Sequence, residues 1–117
     1  MIVVYGISNC DKCRKAKNWF KKYGWSYRFH DFRKEGLDKK TLELWLERLP
    51  LKIIVNRRGI TWRNLSKEQK QLIDFEDPIL LLIKHPTLIK RPVIDLENSL
   101  LVGFDNSVVS VLEHSLH

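Results

Sequence analysis

Ile2-Val-Val-Tyr5, Gly6-Ile-Ser-Asn9 and Cys10-Asp-Lys-Cys13 open the chain, and their reading decides the fold. Ile2–Tyr5 is short, apolar, β-branched and aromatic, the pattern of a buried strand. Gly6–Asn9 reads as a loop. A helix starts near Cys10 or Asp11, with Asn9 or Asp11 available as cap. Cys13, Ala16, Phe20 and Tyr23 follow at helical spacing and define its apolar face, while Lys12, Arg14, Lys15, Lys21 and Lys22 lie mostly outside it. Gly24 ends the helix. Trp25–Asp31 alternates in part and reads as a second strand. A strand, helix and strand within about thirty residues imply a right-handed crossover joining two parallel strands.

The centre of the chain reads as helical. Asp38 caps a segment with Leu42, Trp45, Leu46 and Leu49 on one face, stopped by Pro50. Leu51–Val55 fits a helical turn or a strand equally well. Ser66-Lys-Glu-Gln69 has capping-box spacing, so a helix starts there. Asp77-Pro78 supplies a cap followed by proline at the first helical position, opening a short buried helix over Ile79–Lys84 that Pro86 closes. The end returns to strand. Val93–Leu96, a turn at Glu97-Asn98-Ser99 and Leu100–Val102 form a hairpin. Asp105 or Asn106 then caps a last helix through Val108, Val109 and Leu112. The order is that of an α/β protein with a mixed four-stranded sheet, a thioredoxin-like fold with a central helical insertion. A single domain over 1–117 is expected, with the insertion at about 37–90.

Composition narrows the function classes. The chain has 117 residues, 44% of them hydrophobic, with 21 Lys and Arg against 14 Asp and Glu and a net charge of +7. The purely apolar run Ile79–Ile83 is far shorter than the roughly 20 residues of a membrane-spanning helix. No basic stretch followed by an apolar one begins the sequence, so a cytoplasmic protein is expected. The basic charge is spread along the chain without a recognition motif, and direct nucleic-acid binding is not expected.

In a reducing compartment a Cys-x-x-Cys pair points away from a structural disulfide and towards thiol chemistry. A cysteine opening a helix meets unpaired N–H groups and the positive end of the dipole. Both favour the thiolate, the reactive form. Lys12 and Arg14 add positive charge. Cys13 lies one turn on, placed to attack a mixed disulfide formed at Cys10. Cys13 also fits the apolar face as a plain core thiol. A structural zinc site wants four ligands, and His30, His85, His114 and His117 show no partner spacing, so no metal is expected.

Five blocks in order now carry a resemblance: Tyr5-Gly-Ile-Ser-Asn-Cys-Asp-Lys-Cys13, Phe29-His-Asp-Phe32, Asn56-Arg-Arg-Gly-Ile-Thr-Trp-Arg63, His85-Pro-Thr-Leu-Ile-Lys-Arg-Pro92 and Leu101-Val-Gly-Phe104. From end to end the chain resembles the arsenate reductase-like family of ArsC, Spx and YffB proteins, the YffB branch above all. The resemblance implies that Pro92 is a cis-proline beside the active cysteine and that Arg91 is an oxyanion-binding arginine, whose planar fork suits such a ligand. It places a second anion-binding arginine at Arg57 or Arg58, with Arg63 nearby; a basic surface loop is the competing reading of these three. The family's third arsenate arginine falls at Phe104, which offers neither charge nor hydrogen bonds.

The resemblance therefore implies a thiol-disulfide oxidoreductase, with Cys10 as nucleophile, Cys13 as resolving thiol and glutathione as co-substrate rather than a bound cofactor. Glutaredoxin is an expected partner, and a monomer is the expected form. The alternative is an Spx-like redox-sensing regulator that binds the RNA polymerase α subunit. A binding-only module that keeps the fold without the chemistry is the third reading, and arsenate reduction ranks below the oxidoreductase and regulator readings.

Overall fold

The computed structural model describes residues 1–75 and 77–116. In chain order its elements are β1 (Ile2–Gly6), α1 (Asp11–Lys22), β2 (Tyr27–Asp31), α2 (Phe32–Glu35), α3 (Lys39–Arg48), α4 (Leu51–Ile54), α5 (Ile60–Arg63), α6 (Lys67–Phe75), α7 (Ile79–Lys84), a 3-10 turn (Pro86–Leu88), β3 (Val93–Asp95), β4 (Leu100–Val102) and α8 (Asn106–Leu116). They fall into two compact units, one made of Met1–Lys34 with Arg91–His117 and the other of Glu35–Lys90.

The first unit is built on a four-stranded sheet in the order β2-β1-β3-β4. β1 and β2 are parallel, with Ile2 opposite Tyr27 and Gly6 opposite Asp31. β3 runs antiparallel to β1, and β4 antiparallel to β3. The mixed sheet and the order of elements are those expected. One sheet face carries Val4 and Ile94, which pack with Ala16 and Phe20 of α1 and Val108 and Leu112 of α8 into a core.

Period-two alternation along β1 aims Ile2, Val4 and Gly6 at this core. At the end of α1 the Trp25 N–H donates to the Phe20 carbonyl at 2.9 Å and the Gly24 N–H to the Lys21 carbonyl at 3.3 Å. Gly24 adopts φ 74°, the left-handed conformation that such a helix end requires. Tyr23 follows the last helical residue and is 45% exposed, so it leaves the apolar face that its spacing assigned to it. β2 likewise starts at Tyr27, since Trp25 is used to close the helix.

In the second unit the expected caps are present. The Asp38 carboxylate accepts from the Thr41 N–H at 2.8 Å. Ser66 and Gln69 exchange side-chain-to-backbone bonds at 2.9 and 3.1 Å, a complete capping box. Asp77 accepts from the Ile79 N–H at 3.0 Å. Of the two readings of Leu51–Val55 the helical turn is present at Leu51–Ile54, and Val55 just past it forms an isolated antiparallel bridge with Ile89. α7 is not buried all round, because Leu82 is covered while Leu80 is 69% exposed. The single turns α2 and α5 are too short for periodicity to reveal.

Candidate active site at Cys10

The site begins with a cap. Cys10 has the extended backbone of an N-cap residue, φ −118° and ψ 123°, and its carbonyl accepts the first helical bond from Arg14 at 2.9 Å. Its side chain therefore occupies the place where serine or aspartate would satisfy the open N–H groups of the first turn. Cys13 is the third residue of that turn, the usual partner of a capping atom. Both thiols are free; Cys10 is half-buried and Cys13 fully buried.

The two thiols are driven apart in acidity. Partial burial pushes the Cys10 thiol up. The Cys13 N–H, the Cys13 thiol and the hydrogen-bonded, charged guanidinium of Arg91 outweigh it, and the net pKa lies below the ordinary value. Cys13 goes the other way, pushed up to about 11, chiefly by burial and further by the negative charge of Cys10, against the Ile7 N–H and Arg91. A half-exposed, acidified thiol in front of a buried, protonated one is the asymmetry that nucleophile and resolving thiol require.

Arg91 and Pro92 enter the site on the approach to β3. Their peptide bond is cis, and the Pro92 carbonyl accepts from the Gly103 N–H at 2.8 Å. Cys10, Cys13, Arg91 and Pro92 thus come together within the first unit. Arg57, Arg58 and Arg63 belong to the second. There Arg57 pairs with Asp74 and covers the Trp62 ring at 5.3 Å. Arg58 and Arg63 are exposed, Arg58 on a turn where its N–H donates to the Asn56 side chain at 3.0 Å. Phe104 packs against the core of the first unit.

Four residues that sequence reading passed over, Gly6, Ser8, Asp31 and Arg33, hold the cysteine loop. An ideal Cβ on Gly6 would stand 2.3 Å from Cys13 Sγ, so only glycine leaves room for the buried thiol. Asp31, at the end of β2 and only 6% exposed, accepts from the Ser8 hydroxyl at 2.6 Å and from the Arg33 N–H at 2.8 Å. The Ser8 hydrogen bond leads in holding the Asp31 carboxyl below its ordinary pKa, with burial opposing. Arg33 also donates to the Asn9 side chain at 3.3 Å. The loop between β1 and α1 is thereby tied to the end of β2 through Ser8 and to α2 through Asn9. The parallel pairing of Gly6 with Asp31 makes this tie, a register that neither local stretch displays alone.

Among the described residues no group of three or more His, Cys, Asp and Glu side chains is placed to hold a metal ion; His117 lies outside them. No helix among them is long and apolar enough to cross a membrane.

Residues 5–112 match the ArsC family. The chain belongs to that family. The match takes in Cys10, Cys13, Arg91 and Pro92. Among solved structures the chain is similar to one titled YffB protein, at 34% identity and a TM-score of 0.86 over 95% of this chain and 97% of that one. It is also similar to an arsenate reductase (ArsC) related protein from Brucella melitensis, at 36% identity and a TM-score of 0.74 over 94% and 92%. Global transcriptional regulator Spx 2 of Bacillus anthracis is 27% identical over 113 residues, covering 93% of this chain and 84% of the relative. Arsenate reductase-related proteins and Spx regulators are thus both among its ArsC family relatives.

Proposed function

We propose that this protein is a glutathione-dependent thiol-disulfide oxidoreductase of the cytoplasm. The observation that carries the reading is the half-exposed Cys10 at the N-cap of α1, with the Arg91 guanidinium beside it and Cys13 buried one turn behind. The Cys10 thiolate attacks one sulfur of a disulfide, forms a mixed disulfide with it and expels the other sulfur as a thiolate, which takes a proton from water. Resolution has two routes. Attack by Cys13 gives a Cys10–Cys13 disulfide and releases the bound group as a thiol, so two electrons pass from the protein to the substrate. Where the group captured on Cys10 is a glutathionyl, attack by a glutathione thiolate gives glutathione disulfide and restores the Cys10 thiolate.

Forming the mixed disulfide removes the negative charge of Cys10, one of the causes that hold the Cys13 proton in place. The resolving thiol is therefore released from part of its restraint at the moment it is needed. Arg91 would bind a carboxylate of glutathione or of a small anionic thiol, and glutathione or a glutaredoxin would return the protein to its reduced form. Arg57, Arg58 and Arg63 are assigned to further anion binding. Phe104, turned into the core where the family resemblance calls for an arginine, supports a substrate other than arsenate.

The test is turnover of a small glutathione mixed disulfide. Wild-type protein should reduce it, Cys10→Ser should fall to background, and Cys13→Ser should slow without abolishing the reaction when glutathione is in excess. Absence of turnover by the wild type would remove the enzyme reading. A second reading, redox-sensing regulation, rests on the relatives named Spx. It requires retention on immobilised RNA polymerase α subunit that changes between the reduced and oxidised protein.

A further inference from the structure

The charge of this protein is not evenly placed in space. The twelve residues of α1 carry six cations, Lys12, Arg14, Lys15, Lys17, Lys21 and Lys22, against the single acid Asp11. That is +5 of a net +7; the other 105 residues hold fifteen cations and thirteen acids. The buried residues of the helix are Cys13, Ala16 and Phe20, so Arg14, Lys15, Asn18, Lys21 and Lys22 project from the opposite side. All five are exposed. Arg14 pairs with Asp11, and Lys22 lies over its neighbour Tyr23 at 5.4 Å. Among the described residues Lys12, Lys15 and Lys21 have no ion-pair partner.

Lys21 and Lys22 in the last turn suit the negative end of the dipole, but folding alone does not ask for the rest of this arrangement. Lys12 with Lys15, Arg14 with Lys17, and Lys17 with Lys21 are like charges at i,i+3 or i,i+4, each costing a helix roughly 0.2–0.5 kcal/mol. Lys12 and Arg14 also face the positive end of the dipole. The ridge begins at the nucleophile's end of the helix and runs away from it. Lys21 lies about 16 Å along the axis from Cys10, at 1.5 Å per residue. At physiological salt the screening length is about 8 Å, so the far lysines do nothing for a ligand the size of glutathione held at Cys10. Only an extended anion uses both ends of the ridge.

We infer that the outward face of α1 is a docking ridge for an acidic segment of a protein whose oxidised cysteine is presented to Cys10. This rests on the thiol-disulfide reading above and names its substrate class. A nucleic acid fits the site less well. It brings no sulfur to Cys10, and of the rings at the far end of the ridge Trp19 is packed against the core while Tyr23 already lies under Lys22.

Two ten-residue peptides, each with one glutathionylated cysteine, test the assignment: one with six glutamates on one side of the cysteine, one with serines in their place. The acidic peptide should have a kcat/KM about tenfold higher at low salt, an advantage that vanishes at high salt. Lys15→Gln/Lys21→Gln/Lys22→Gln should lose that advantage while reducing the serine peptide at the wild-type rate. Its thermal midpoint should change little, because the repulsion relieved offsets the loss of Lys21 and Lys22 from the negative end of the dipole. Equal kcat/KM for the two peptides, or an advantage that survives in the triple variant, would overturn the ridge. Failure of the wild type to reduce either peptide would instead remove the thiol reading. Fluorescence anisotropy of a labelled, reduced acidic peptide then still tests the ridge. There, stronger competition by a ten-nucleotide single-stranded DNA than by unlabelled acidic peptide would also overturn it.

Discussion

An alanine at position 6 would set its Cβ 2.3 Å from Cys13 Sγ and 3.6 Å from the Phe29 ring. The Phe29 approach is an ordinary contact, but the Cys13 sulfur cannot yield easily, because it is fully buried on the core face of α1. Gly6→Ala should therefore cost about 1–3 kcal/mol in urea denaturation, the usual penalty of overpacking. In a Cys13→Ala background most of that cost should disappear, since the clashing atom is gone; a penalty unchanged by the second substitution would show that the contact is not its source. The cysteines themselves were legible in the sequence from spacing and from their place at the start of a helix. Gly6 was not. It reads as a loop residue, and its role exists only once β1 and α1 are packed face to face.

Asp31 shows the same limit at the level of elements. It ends β2, yet its work is to hold the loop between β1 and α1 through Ser8. Asp31→Ala leaves the Ser8 hydroxyl and the Arg33 N–H without their acceptor and should cost about 1–3 kcal/mol at neutral pH. The sign with pH follows from its depressed pKa. Between its folded-state pKa and the ordinary value of about 3.9, the unfolded chain binds more protons than the folded one, so stability rises with pH. Wild-type protein gains that stability above the ordinary pKa and loses it as the pH falls through the folded-state pKa. Asp31→Ala should show a flatter acid limb, with the share due to Asp105 still present, because its carboxyl is also held low by Ser107 and Val108. Identical acid limbs would dissociate Asp31 from the effect.

Elements with a purely local signature were readable without the structure. Asp38 and the Ser66–Gln69 box reveal their helix starts because both partners of each hydrogen bond lie within three residues. Val55 was ambiguous because its bridge partner, Ile89, lies far along the chain.

Across the molecule, burial separates residues that composition treats alike. Ile94 is fully buried in β3, while Phe75 is 82% exposed at the end of α6. Ile94→Ala should cost about 2–5 kcal/mol, whereas Phe75→Ser should change stability by no more than about 0.5 kcal/mol. Comparable losses from both would contradict this distribution of the core.

The first unit is assembled from two separated stretches, residues 1–34 and 91–117, and β1 lies between β2 and β3 in its sheet. This division has a consequence for biosynthesis. At about 5–20 residues per second, a ribosome finishes Cys10 roughly 4–16 s before it adds Arg91. During that interval β1 has an unfilled edge, and Cys10 has only its own helix to acidify it. The cation that completes the nucleophile arrives with the strand beside β1, so the thiol reaches full reactivity only once the chain through β3 has been made.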